Sequence, residues 1–177
     1  GYLFNLQSGL EELSASDRVD FLPPYHRDAM SWIKKRVWDS APSFLRNPYY
    51  TRKHKHSYRS LLTSQSSSAF QIAKYDCVHF HSTVSMFQCR MALEDYDGTV
   101  VLTSHSPCVN HIELFTQISD EFGEDFALSC GNLSKIDEYA FSRADILVFP
   151  TEYAMEPYAN TWPSFKKIIE HTKLMFM

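Results

Sequence analysis

Glycine is scarce in this chain. Five occur in 177 residues, at Gly1, Gly9, Gly98, Gly123 and Gly131. No G-x-G-x-x-G run and no Walker A loop can be written from them, so no glycine-rich turn of the usual kind cradles a phosphate. The G-x-S-x-G elbow of serine hydrolases is also missing. No apolar run approaches the roughly 20 residues that span a bilayer. No basic stretch followed by an apolar one opens the chain, so no leader peptide is expected. The four cysteines, Cys77, Cys89, Cys108 and Cys130, form no C-x-x-C pair. That pattern suits small buried thiols in a reducing compartment better than a disulfide framework or a zinc ribbon, and it makes a cytoplasmic location the expectation.

What the chain does have is apolar content. With 44% hydrophobic and 21% charged residues, it fits one globular domain with a real core. Three short apolar runs carry most of the information. They read DCVHFHS from Asp76, TVVLTSHSP from Thr99 and ADILVFPTE from Ala144. Each resembles a buried strand that stops abruptly in polar residues, and helical patterns separate them. A parallel sheet wound by crossover helices is the expected fold, an α/β class. Ligands of such sheets bind just past the carboxyl ends of the strands. Those ends supply His81, Ser82, Ser104, His105, Ser106, Thr151 and Glu152.

Around these runs the periodicity predicts helices over 2–13, 27–39, 83–96, 109–122, 132–142 and 165–173, and strands over 18–22, 77–81, 99–104 and 145–149. Ser82 and Thr151 read as helix N-caps, and Ser106-Pro107 as a cap and first-turn pair. Residues 64–68 read as a polar loop. Residues 46–59, RNPYYTRKHKHSYR, are aromatic and basic, and Pro42 and Pro48 predict an irregular path. Charge is uneven: residues 1–60 hold ten Lys/Arg against six Asp/Glu (+4), and residues 61–177 hold seven against fifteen (−8). Arg52, Lys53, Lys55 and Arg59, beside Tyr49, Tyr50 and Tyr58, suit an anionic acceptor, a membrane surface or simple solvation. Nucleic acid is not expected, because the rest of the chain is acidic. The chain begins on glycine and on a helix, with no strand before it, so an upstream segment is expected.

Three motifs in this order, D-x-V-H-x-H-S, V-V-x-T-x-H and A-D-x-x-x-x-x-T-E, each at a strand end, resemble the N-terminal domain of GT-B glycosyltransferases. The nearest resemblance is to the family-4-like retaining enzymes (glycosyl transferases group 1). It covers residues 75–158 well and 1–22 loosely, and residues 23–70 show no placed motif. The resemblance implies two Rossmann-like domains facing a cleft, with the acceptor held mainly by the N-terminal one and the nucleotide sugar by the C-terminal one. That second domain carries two glutamates separated by seven residues. Glu113 and Glu121 have this spacing, but they lie in the wrong half and lack the surrounding Gly/Pro pattern, so the match is a coincidence. Residues 1–177 would then be a single Rossmann-like domain, lacking its first strand and the donor domain, and incompetent for catalysis alone.

On this resemblance the whole enzyme transfers a sugar from a nucleotide-sugar donor to a glycan or lipid-linked acceptor, with retention, in polysaccharide biosynthesis. It works in the cytoplasm or peripherally at the inner face of a membrane, through the segment from Arg52 to Arg59, and needs no metal or other cofactor. His105 is the catalytic candidate, facing the transferred sugar, where a neutral imidazole can donate to a hydroxyl or a leaving phosphate. His81, Ser82, Ser104, Ser106, Thr151 and Glu152 are the substrate-binding candidates. His79 shares a strand face with His81 and reads as a hydrogen-bonded core residue. Two alternatives stay open. V-H-F-H-S also resembles the H-x-H-S opening of metal-dependent phosphoesterases, with His79, His81, His105 and Asp145 as ligands. A non-catalytic Rossmann-like module that binds a sugar or a protein is the other.

Overall fold

The computed structural model describes residues 42–177. The expected helices over 2–13 and 27–39 and the strand over 18–22 lie outside the described residues. Four parallel strands form one sheet in the order β1-β2-β3-β4: β1 Cys77–Phe80, β2 Thr99–Thr103, β3 Ile146–Phe149 and β4 Lys173–Phe176. Register is set by apolar pairs, with Val78 opposite Val100, Leu102 opposite Leu147, and Leu147 opposite Leu174. The α/β class and the parallel sheet follow the sequence reading. β4 does not: residues 165–173 read as a last helix, whereas the helix is only α8, Phe165–Ile168, and KLMF pairs as a strand. Four residues are too few for periodicity to separate strand from helix.

The other helices are α1 Ser43–Arg59, α2 Thr83–Gln88, α3 Arg90–Glu94, α4 Asn110–Phe122, α5 Glu124–Ser129, α6 Ser134–Arg143 and α7 Glu156–Thr161. The single helix expected over 83–96 is broken at Cys89 into α2 and α3. Arg90 stabilises the break, donating to the carbonyls of Ser64 and Phe87 and lying over the Phe87 ring. Residues 46–59, expected to be irregular, belong to the continuous helix α1 despite Pro48. Its carboxyl half is held from outside: Tyr58 meets Phe122 edge-on, and Lys55 and Arg59 lie 4.9 and 5.0 Å from the Phe126 ring centroid. Tertiary contact of this kind outweighs the loss of one intrahelical bond.

Alternation along the strands sorts the sheet faces. Val78, Val100, Leu102, Leu147 and Phe149 point into one buried core with Phe141, Tyr158, Trp162 and Phe165. Phe141 is the hub of this core and packs against all four of Phe149, Tyr158, Trp162 and Phe165. A second core, Phe87, Ile118, Phe126, Leu133 and Ile136, joins the helices to one another, with Tyr58 and Leu62 at its rim. The opposite sheet face carries Cys77, His79, Val101, Ile146, Val148 and Met175, none of which belongs to either core among the described residues. Cys77, expected to be buried, is therefore exposed, while Cys89 and Cys130 are buried.

Phe141→Ala should destabilise the fold by about 3–5 kcal/mol, since it removes an aromatic ring from the centre of the packed cluster. Chemical denaturation checks this, and a loss under 1 kcal/mol would contradict the packing described.

Candidate functional site

The carboxyl ends of β1 and β2 bring three histidines together. His79 and His81 project from the same side of β1 and its extension, with ring centroids 4.2 Å apart. His105 follows β2 and meets His81 edge to edge, the ring centroids 5.2 Å apart and the planes 8° from parallel. His81 Nδ1 and His105 Nε2 share a hydrogen bond of 2.9 Å. His79 Nε2 bonds the Thr103 hydroxyl at 2.7 Å, on a threonine that is almost fully buried. His79 is hydrogen-bonded as the sequence suggested, but it is exposed and belongs to neither core, while His81 and His105 form a pair that spacing alone could not show.

Desolvation and neighbouring imidazoles set the charge of His79 and His81. Burial, and then the neighbouring imidazoles His81 and His105, lower the His79 pKa to about 4. Burial and His105 also hold His81 below the ordinary histidine value. Both imidazoles are therefore neutral at neutral pH, each offering one N–H donor and one lone pair. Such groups suit hydroxyls better than anions.

The remaining candidates divide by geometry. Ser104 is buried, and its hydroxyl lies 2.6 Å from the Tyr158 hydroxyl, which also donates to the Ser106 carbonyl at 3.2 Å. Burial pushes the Tyr158 pKa up to about 12, so the phenol keeps its proton. Ser104 thus faces the core. Ser106 donates to Glu113 at 2.8 Å, and the partly exposed Cys108 thiol is 3.6 Å from the same carboxylate oxygen. Ser82 and Thr151 cap their helical turns, accepting from the backbone N–H of Ser85 and Ala154. Glu152 is exposed in the first turn after Thr151. Among the described candidates, His81 and His105, with His79 beside them, form the convergent group at this end.

The expected Ser106-Pro107 helix start is displaced. α4 begins at Asn110 after Val109, which offers no capping side chain. The cap comes from α6. Asp137, fully buried, accepts the His111 backbone N–H at 2.7 Å and its ring Nδ1–H at 2.8 Å through Oδ2. Its Oδ1 has no hydrogen-bond partner. Sequence reading missed both Asp137 and Tyr158. The one available signal was Asp137 falling where α6 needs an apolar residue, between Ile136 and Ala140.

Asp145 sits at the far end of the sheet, where it accepts the Val100 backbone N–H at 2.8 Å. It cannot join His79, His81 and His105 in one coordination sphere. Among the described residues no three or more His, Cys, Asp or Glu side chains are grouped to hold a metal ion. Comparisons with protein-family models, curated proteins and solved structures return no match.

Because His79 titrates far below an unfolded histidine, the unfolded chain binds more protons between pH 6.5 and about 4. Stability should fall as pH drops through that window, and His79→Gln should flatten the fall. Denaturation midpoints measured across the window check this, and parallel curves for the two proteins would refute it.

Proposed function

We propose that this chain is the acceptor-side, Rossmann-like half of a GT-B glycosyltransferase, which transfers a sugar from a nucleotide-sugar donor to a hydroxyl of a glycan or lipid-linked acceptor. The observation that carries this is the His81–His105 pair: two hydrogen-bonded imidazoles, His81 held neutral, at the carboxyl ends of adjacent parallel strands. That is where such sheets bind ligands, and neutral imidazoles recognise sugar hydroxyls. Ordering a hydroxyl there supplies the positioning that group transfer needs. A nucleotide-sugar site must then come from a further domain, since no glycine-rich phosphate loop occurs in this sequence. The resemblance of the three strand ends to the family-4-like enzymes supports retention of configuration.

The helix α1 gives a second surface to this reading. Lys55 and Arg59 are engaged with the protein's own aromatic rings, whereas Arg52 and Lys53 are exposed. No helix among the described residues is long and apolar enough to cross a membrane. Contact with an anionic bilayer would therefore be electrostatic, each cation contributing about 1 kcal/mol near the surface.

His105→Ala in the full natural polypeptide should lower kcat/KM for sugar transfer by about 100- to 1,000-fold and leave the unfolding transition in place. Turnover near the wild-type level in that variant would sink the assignment. Sedimentation with vesicles rich in phosphatidylserine tests the α1 surface. Arg52→Glu with Lys53→Glu should abolish co-sedimentation at low salt, and unchanged binding would remove the membrane from the proposal.

A further inference from the structure

We propose that one face of α1 is a binding groove for the phosphate headgroup of a membrane lipid, with the lipid chain leaving over Pro48 and Phe44. The groove is independent of the transferase reading. It differs from diffuse attraction to a bilayer in selecting one headgroup.

α1, Ser43–Arg59, contains no aspartate or glutamate. Arg52, Lys55, His56 and Arg59 follow one another at i, i+3, i+4 and i+7, so they share a face. With Pro48 they line an open groove of about 730 Å³. Arg52, Lys55 and Arg59 carry like charges at these spacings, which weakens a helix. The helix dipole offsets this for Arg59 in the last turn, but not for Arg52 in the middle. Among the described residues no carboxylate pairs with any of the three. Glu121, an acid that does reach α1, is engaged by His54 at 3.4 Å and by Tyr58. The groove gathers cations without a counter-charge, and a bound anion would supply one.

Two of the cationic heads are already held in place. The Arg59 guanidinium lies 5.0 Å from the Phe126 ring centroid. The Lys55 ammonium lies 4.9 Å from the same centroid and 5.4 Å from that of Phe122. A guanidinium over a ring keeps its N–H groups in its own plane, where they can meet two phosphate oxygens. Ordering long side chains is a main cost of binding, and the aromatic rings have met part of it in advance.

The amino end of the same face is apolar. Pro48 lines the groove, and Phe44 stands one turn before it, 72% exposed. From Phe44 to Arg52 the axis runs about 12 Å. Cations at one end and an exposed ring at the other match a lipid headgroup and the start of its chain. Free phosphate would leave Phe44 in water.

The test uses the full natural polypeptide and phosphatidylcholine vesicles carrying either phosphatidic acid or phosphatidylserine at matched surface potential. Binding should be about tenfold tighter to phosphatidic acid, whose terminal phosphate accepts charge-assisted bonds from two cations. Soluble dihexanoyl phosphatidic acid should bind one-to-one with no bilayer present. Arg52→Gln and Arg59→Gln should each weaken that binding about tenfold. Lys135→Gln, which removes the same charge from an exposed position on α6, should leave it unchanged. Phe44→Ser should weaken binding of the dihexanoyl lipid and not of inorganic phosphate. Equal binding to the two vesicles overturns the groove in favour of diffuse attraction. Inorganic phosphate bound as tightly as the dihexanoyl lipid overturns the lipid as ligand. Both comparisons use the wild-type protein, so neither depends on how Arg59→Gln folds. Absent headgroup selectivity in a protein that transfers sugar overturns the groove alone. Selectivity in a protein that transfers none supports the groove and overturns the transferase reading.

Discussion

Asp137 carries a carboxyl group with no access to solvent, and burying a polar group costs free energy that hydrogen bonds must offset. Oδ2 finds those bonds in two N–H groups of one residue, His111, in the first turn of α4. The demand runs both ways. α4 has no capping side chain of its own, so its opening turn needs an acceptor from elsewhere. The two needs meet at one point and fix where α4 starts relative to α6. Everything between β2 and that point, the stretch bearing His105 and Ser106, must bridge a set distance. The imidazole pair is held by this constraint as much as by the sheet beneath it.

The same constraint explains where sequence reading succeeded and failed. The strand runs and the polar stops after them were legible, because alternation and abrupt changes of polarity are local signals. Ser82 and Thr151 were legible as caps for the same reason. Ser106-Pro107 had the local form of a helix start, but the helix begins later, because its cap is supplied by a residue 26 positions on. α1 was obscured in a similar way. Its prolines argued for irregularity, and the rings of Phe122 and Phe126 that hold it are more than 60 residues away in sequence. β4 was missed because strand pairing is a property of the sheet and not of KLMF.

In the site, the sequence showed the histidines and their side of the strand. It did not show which of them would touch. The i, i+2 spacing put His79 and His81 together, yet the hydrogen bond between two of the three rings joins His81 to His105, across the β1–β2 ladder. A hydrogen bond to Thr103 sets His79 apart from the other two. The serines that looked equivalent in a line of sequence separate in three dimensions into a core contact, a helix cap and a partner for Glu113.

Among the described residues, β1 is the outer strand on the histidine side of the sheet. A strand laid in parallel along its outer edge would lie about 4.8 Å away, and its carboxyl end would come to rest beside His81. The loop leaving that strand would form a third wall of the site. On the proposed reading, ligand preference would then change with what is added at this edge, with the imidazole pair unchanged, much as a lock is re-keyed by exchanging one plate while the bolt stays in place.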